Sequence, residues 1–178
     1  LLATARGGNV IGGGDWSEDR LIPDLVRSVT SGEPLVIRSP HATRPWQHVL
    51  DCLSGYLLLG QRLLENDTQC ADAWNFGPDG RGNRTVEQVL GDLARTWPQV
   101  HWKVTSGPQP HEAGLLQLDS SKARMDLGWH PVWSFDSAIH HTANWYRQWL
   151  EDGRVPSADQ LASYLADASD SGLGWAKS

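Results

Sequence analysis

Apolar residues recur at intervals of three and four through Phe135, Ala138, Ile139, Thr142, Trp145, Tyr146 and Trp149. That spacing is one helix face and predicts an amphipathic helix from about Ser134 to Leu150. A second stripe, Val86, Val89, Leu90, Leu93 and Trp97, follows Thr85-Val86-Glu87-Gln88, a capping box. Leu21 to Ser31 fits a helix closed by Gly32, and Ser121 to Leu127 a short one ended by Gly128. From Leu50 to Leu64 leucines stand at positions 50, 53, 57, 58, 59, 63 and 64, over most of the circumference. A helix so apolar needs partners on several faces. A last helix is expected from the box Ser157-Ala158-Asp159-Gln160, with a loose polar tail beyond Asp167.

Between these helices lie short apolar runs of strand length. Leu1 to Val10 reads as a buried strand, followed by Leu35 to Arg38, Ala73 to Gly77, Val100 to Thr105 and Leu115 to Leu118. Strands alternating with helices define an α/β protein. The first strand runs into Gly12-Gly13-Gly14, where the chain must turn sharply, and then Asp19-Arg20-Leu21-Ile22-Pro23 opens a helix. Glycines at the carboxyl end of a strand let a ligand approach the backbone. Taken alone, such a stretch is more often a plain turn at a sheet edge.

Composition narrows the partners. Fifteen Lys plus Arg stand against 21 Asp plus Glu, a net charge of -6 without a basic run, which argues against nucleic acid. No run approaches the ~18 apolar residues of a membrane span, and a cytoplasmic setting is expected. Cys52 and Cys70, without CxxC spacing or histidines in metal order, read as buried thiols, and no metal is expected. Ten tryptophans against two phenylalanines are assigned mostly to the core. The start at Leu-Leu-Ala-Thr-Ala, inside a strand, suggests a piece of a longer protein.

Several motifs fall short. Gly80-Arg81-Gly82-Asn83-Arg84-Thr85 lacks the third glycine of a dinucleotide loop, and His111-Glu112 has leucine at 115 where a zinc protease needs histidine. His140 and His141, adjacent on a helix, point about 100° apart and suit no common metal. Diphosphate-binding candidates remain: Asn9, Arg20, Arg38, Arg44 and His111, each near a turn glycine or proline. A guanidinium offers a fixed fork of donors for phosphate oxygens. Pro45 holds Arg44 extended, so that Arg38 and Arg44 could face one anion across a hairpin.

Gly8 to Trp16, Asp19 to Pro23, Ile37-Arg38-Ser39-Pro40, Arg44-Pro45-Trp46-Gln47-His48-Val49-Leu50, Trp74 to Pro78, Pro110-His111-Glu112-Ala113, Leu127 to Pro131 and Trp145-Tyr146, in this order, resemble the CDP-glucose 4,6-dehydratases. These belong to the nucleotide-sugar branch of the extended short-chain dehydrogenase/reductases. The likeness covers nearly the whole chain and matches the family's C-terminal half. It implies an NAD-dependent hydro-lyase that takes a hydride from C4 of CDP-glucose, removes water across C5 and C6, and returns the hydride at C6. The family's Tyr-x-x-x-Lys pair is absent; the only lysines are Lys103, Lys122 and Lys177, none with a tyrosine four residues before it. No catalytic residue is therefore assigned.

The resemblance makes residues 1–14 the end of an NAD-binding Rossmann domain and 15–152 a nucleotide-sugar-binding region. Within the latter, about 45–97 packs back on the Rossmann domain, and 153–178 forms a terminal helix and tail. It implies that Asn9 contacts the diphosphate, Arg20 and Leu21 border the nucleotide, Val36, Ile37 and Arg38 line the base, and Arg44 clamps a phosphate. His111 aligns with the histidine of the dTDP-glucose enzymes' Arg-Pro-Gly-His motif. Ala5 and Arg6 are expected beside the nicotinamide of NAD, and the complete enzyme is expected to be a homodimer or larger homo-oligomer. Pro108, where those relatives have arginine, favours the CDP branch, while Ser39 replaces an expected asparagine. Another nucleotide-sugar reductase or epimerase, and a binding module without catalysis, remain open.

Overall fold

A computed structural model describes residues 1–78, 83–105 and 115–176. Its order is β1 (Thr4–Gly7), β2 (Asn9–Ile11), α1 (Leu21–Ser31), β3 (Leu35–Ile37), β4 (Thr43–His48), α2 (Val49–Leu64), β5 (Ala73–Phe76), β6 (Asn83–Thr85), α3 (Val86–Thr96), β7 (Trp102–Val104), α4 (Ser121–Asp126), α5 (Phe135–Asp152) and α6 (Ser157–Asp170). Short 3₁₀ turns lie at Thr68–Cys70 and Gly174–Ala176. This is an α/β fold.

The pairings are mostly parallel. β1 lies beside β5, β2 beside β4 and β3 beside β7, while β6 joins β4 antiparallel. The expected single strand at the start is thus two strands in different sheets. Gly8 divides them: a Cβ there would overlap the Pro45 carbonyl. Nor is the first strand buried, because β1 has a described partner only on the β5 side and Thr4, Ala5 and Arg6 are exposed.

Sequence logic holds for most helices. Gly32 closes α1 at φ 72°, and its N–H bonds the Val29 carbonyl. Thr85 and Gln88 form the reciprocal capping box of α3. The box at Ser157 does not form. Ser157 is the first helical residue, its hydroxyl accepts from Trp145 Nε1, and Gln160 Nε2 donates to the His141 carbonyl. Tertiary partners have taken both side chains. The chain beyond Asp167 also continues as helix to Asp170, and Trp175 stacks on Tyr164. Leu115 to Leu118 gives a single bridge to Thr43 and no strand.

Two apolar clusters form the interior. The larger joins α1, α3 and α5 to β2–β4, with Leu25, Val89, Leu90, Ala138 and Tyr146 at its centre. The smaller gathers Leu59, Trp74, Phe76, Ala123 and Trp129 between α2, β5 and α4. On its outer side α2 leaves Leu57 74% and Leu64 85% exposed. Cys52 and Cys70 are buried free thiols. No described helix is long and apolar enough to cross a membrane.

Candidate functional site

A cleft of about 420 Å³ opens where β2 ends, α1 begins and β4 meets α3. It is built from stretches far apart in sequence. Asn9, Val10, Ile11 and Gly12 come from β2 and its turn, Arg20 to Pro23 from the start of α1, Arg44 and Trp46 from β4, and Val86 from α3. Asp15, Glu18 and Asp19 complete the lining.

The glycine turn is forced by its neighbours. A side chain at position 13 would occupy the indole ring of Trp145, and Gly14 sits at φ 81°, a backbone that residues with a Cβ rarely adopt. Beneath the turn His48 is buried and accepts the Leu50 N–H through Nδ1 at 3.3 Å. Burial, and secondarily the nearby His141, push its pKa down to about 3, so it is neutral.

The cleft mixes charges. Burial tends to raise the pKa of Asp15, but it ends below the usual carboxylate value because Ser17 hydrogen-bonds it and Arg20 and Arg27 lie near. Arg44 Nη1 donates to its neighbouring Thr43 carbonyl at 3.0 Å. Arg44 and Arg84 are opposite each other in the β4–β6 register. Trp46 Nε1 donates to the Arg84 carbonyl at 3.0 Å, and the Arg84 guanidinium lies 5.0 Å from the Phe135 ring centre. Of these two arginines, Arg44 lines the cleft and Arg84 does not.

Of the expected site residues, the cleft brings together Asn9, Arg20, Leu21 and Arg44. Val36, Ile37 and Arg38 lie elsewhere: β3 pairs with β7, Val36 and Arg38 face solvent, and Ile37 is in the core. The hairpin expected to join Arg38 and Arg44 does not form. The connecting loop instead runs to α3, where Pro40 and Ala42 carbonyls accept from Glu87 and Val86. Ala5 and Arg6 are on exposed β1, opposite Trp74 and Asn75, outside the cleft. His111 lies outside the described residues. Asp15, Glu18, Asp19, Trp46 and Val86 are not among the expected site residues, although all but Glu18 stand inside the motifs quoted above.

No group of His, Cys, Asp and Glu among the described residues could hold a metal ion. The glycine turn Gly12–Gly14 follows β2, but α1 begins only at Leu21, so it does not lead straight into a helix N-terminus as a dinucleotide loop does. The described residues do not by themselves fit NAD.

No protein-family model matches the chain. It is 42% identical over 168 residues, 93% of its length, to CDP-glucose 4,6-dehydratase of Salmonella typhimurium strain LT2, of which it covers 47%. A dTDP-glucose 4,6-dehydratase of Neisseria gonorrhoeae is 25% identical over 72% of the chain and 39% of that enzyme. Among solved structures, an epimerase from Methanothermobacter thermautotrophicus matches with TM-score 0.70 at 23% identity, over 83% of this chain and 43% of that one. A UDP-glucuronic acid 4-epimerase from Bacillus cereus, solved with UDP-glucuronic acid and NAD, matches with TM-score 0.67 at 19% identity, over 81% and 44%. Those structural likenesses are of fold.

The sequence likeness to the Salmonella typhimurium enzyme places the chain in the nucleotide-sugar branch of the extended short-chain dehydrogenase/reductases. It spans about half the length of the curated relatives it matches. Within the branch it is a homologue of CDP-glucose 4,6-dehydratase.

Proposed function

We propose that this chain is the substrate-gripping part of a CDP-glucose 4,6-dehydratase, an enzyme that converts CDP-D-glucose to CDP-4-dehydro-6-deoxy-D-glucose. The observation that carries the reading is the convergence of Asn9, Arg20 and Arg44, from three separate stretches, on one cleft beside a glycine turn. In this reading the guanidiniums hold the diphosphate, Asn9 hydrogen-bonds it, and Leu21, Ile22 and Val86 offer apolar surface to the rest of the nucleotide. The hydride chemistry, with its NAD, falls to the remainder of a complete enzyme. The exposed leucines of α2 support that reading over a self-sufficient binding module, since an apolar face of this kind calls for a cover.

The test is calorimetric titration of the complete enzyme that contains this chain with CDP-glucose. Arg44→Ala is expected to weaken binding by about 1.5 to 3 kcal/mol, the range for losing a charge-assisted contact. An equal affinity for the variant, or no binding by the parent, overturns the assignment. UDP-glucose or dTDP-glucose binding more tightly would move the chain to another enzyme of the branch.

A further inference from the structure

Asp15 to Arg20 has no regular secondary structure, yet it supplies the cleft with three carboxylates and a guanidinium. Its anchors come from two helices. The Tyr146 hydroxyl on α5 accepts the Asp15 N–H at 3.0 Å and donates to the Asp15 carbonyl at 2.7 Å. One phenol thus fixes both the position and the rotation of one residue. On α1, Arg27 donates through Nη1 to the Trp16 carbonyl at 3.2 Å and through Nη2 to the Ser17 carbonyl at 3.0 Å, and it also pairs with Asp24.

The ring of Trp16 packs on α5. It meets Tyr146 edge-on at 5.5 Å and Trp149 at 4.6 Å. Within the segment, Asp15 Oδ1 accepts the Ser17 N–H at 3.0 Å, and Asp19 takes a left-handed φ of 59°. Arg20 then becomes the N-cap of α1. Neither Tyr146 nor Arg27 lines the cleft.

We infer that Tyr146 and Arg27 are positioning residues that set where Asp15 and Arg20 stand in the cleft, and through them the affinity for the diphosphate of a nucleotide sugar. The inference rests on the functional reading above. A loop already held in place adds no ordering cost to binding, whereas a loop released from its anchors is competent for only part of the time.

The experiment is a double-mutant cycle in the complete enzyme that contains this chain, read as the dissociation constant for CDP-glucose. Tyr146→Phe keeps the ring and loses both hydrogen bonds, and is expected to weaken binding about tenfold. On an Arg20→Ala background the same change is expected to cost less than about twofold, because the residue it positions is gone. Arg27→Gln, at an exposed site, tests the second anchor without touching the core and is expected to show the same coupling. Equal effects of Tyr146→Phe and Arg27→Gln in both backgrounds would reduce them to structural residues and overturn the inference. So would an unchanged affinity of both while Arg20→Ala and Arg44→Ala still weaken binding. If Arg20→Ala and Arg44→Ala change nothing either, the functional reading itself falls, and the positioning role with it.

Discussion

Replacing Asp51 by asparagine should change how stability depends on pH. Asp51 lies in the first turn of α2 and is 0% exposed; its Oδ1 accepts the Val132 N–H at 2.6 Å and the Tyr164 hydroxyl at 2.9 Å, while Oδ2 has no partner among the described residues. Burial dominates and raises its pKa from 3.8 to about 6, against the hydrogen bonds from Val132, Tyr164 and Trp133. The folded carboxyl therefore binds a proton more tightly than the unfolded one, and stability falls as pH rises from about 4 to just above 6. At about 1.4 kcal/mol per pKa unit the whole effect is about 3 kcal/mol, of which about 2 develops between about pH 4.5 and about pH 7.5. His48 acts in the opposite direction. Its pKa falls from 6.5 to about 3, so stability is lost as pH drops through that interval, and the parent profile is flattened where the two overlap. Asparagine keeps the Oδ1 acceptor and stays neutral, so the difference between variant and parent isolates the carboxyl. Urea unfolding at the two pH values should show the asparagine variant gaining about 2 kcal/mol on the parent toward the higher one, roughly 4 to 8 °C in melting temperature. A constant difference across the range would mean that the buried carboxyl carries no ionisation cost, and would refute the reasoning.

Three further substitutions test the local geometry by thermal unfolding. Gly13→Ala should cost about 1 to 3 kcal/mol, because its Cβ must displace Trp145. Gly91→Ala, in α3 with nothing within 4 Å of the new carbon, should instead stabilise by roughly 0.5 to 1 kcal/mol; matching shifts at both sites would contradict the packing account. Thr85→Ala removes one half of the α3 capping box and should cost about 1 kcal/mol, and an unchanged melting temperature would show that the cap adds nothing.

What was legible in the sequence is the part set by local periodicity and capping. The stripe from Phe135 to Trp149, the Thr85 box and the Gly32 stop all act within one or two turns of chain, so their patterns survive folding. Pairings between distant segments are not written that way. Nothing local says that Leu35–Ile37 will choose Trp102–Val104, so a hairpin with the following strand is an equally good reading of the sequence. Ser157 and Gln160 failed for the same reason: the pattern of a cap was there, but Trp145 and His141 offered better partners. Asn9, Arg20 and Arg44, which the structure brings to one cleft, draw attention in the sequence because each is a polar group beside a turn residue. The acids opposite them were passed over because a search for anion-binding groups does not look for carboxylates.

Those acids bear on what the cleft can accept. Among the described residues of the lining, Asp15, Glu18 and Asp19 outnumber Arg20 and Arg44. A bare polyanion would gain from two arginines and lose to three acids, and such a site is a poor trap for phosphate alone. A ligand that bears its charge at one point and hydroxyl donors on either side can satisfy both signs at once. Nucleotide sugars have that form, with a diphosphate between ribose and hexose. The carboxylates thus fit the proposed ligand class better than a simpler anion, and the anchors at Tyr146 and Arg27 gain importance because they hold acids and arginine in one segment. A cleft that selects by the spacing of opposite charges depends on that segment staying where it is.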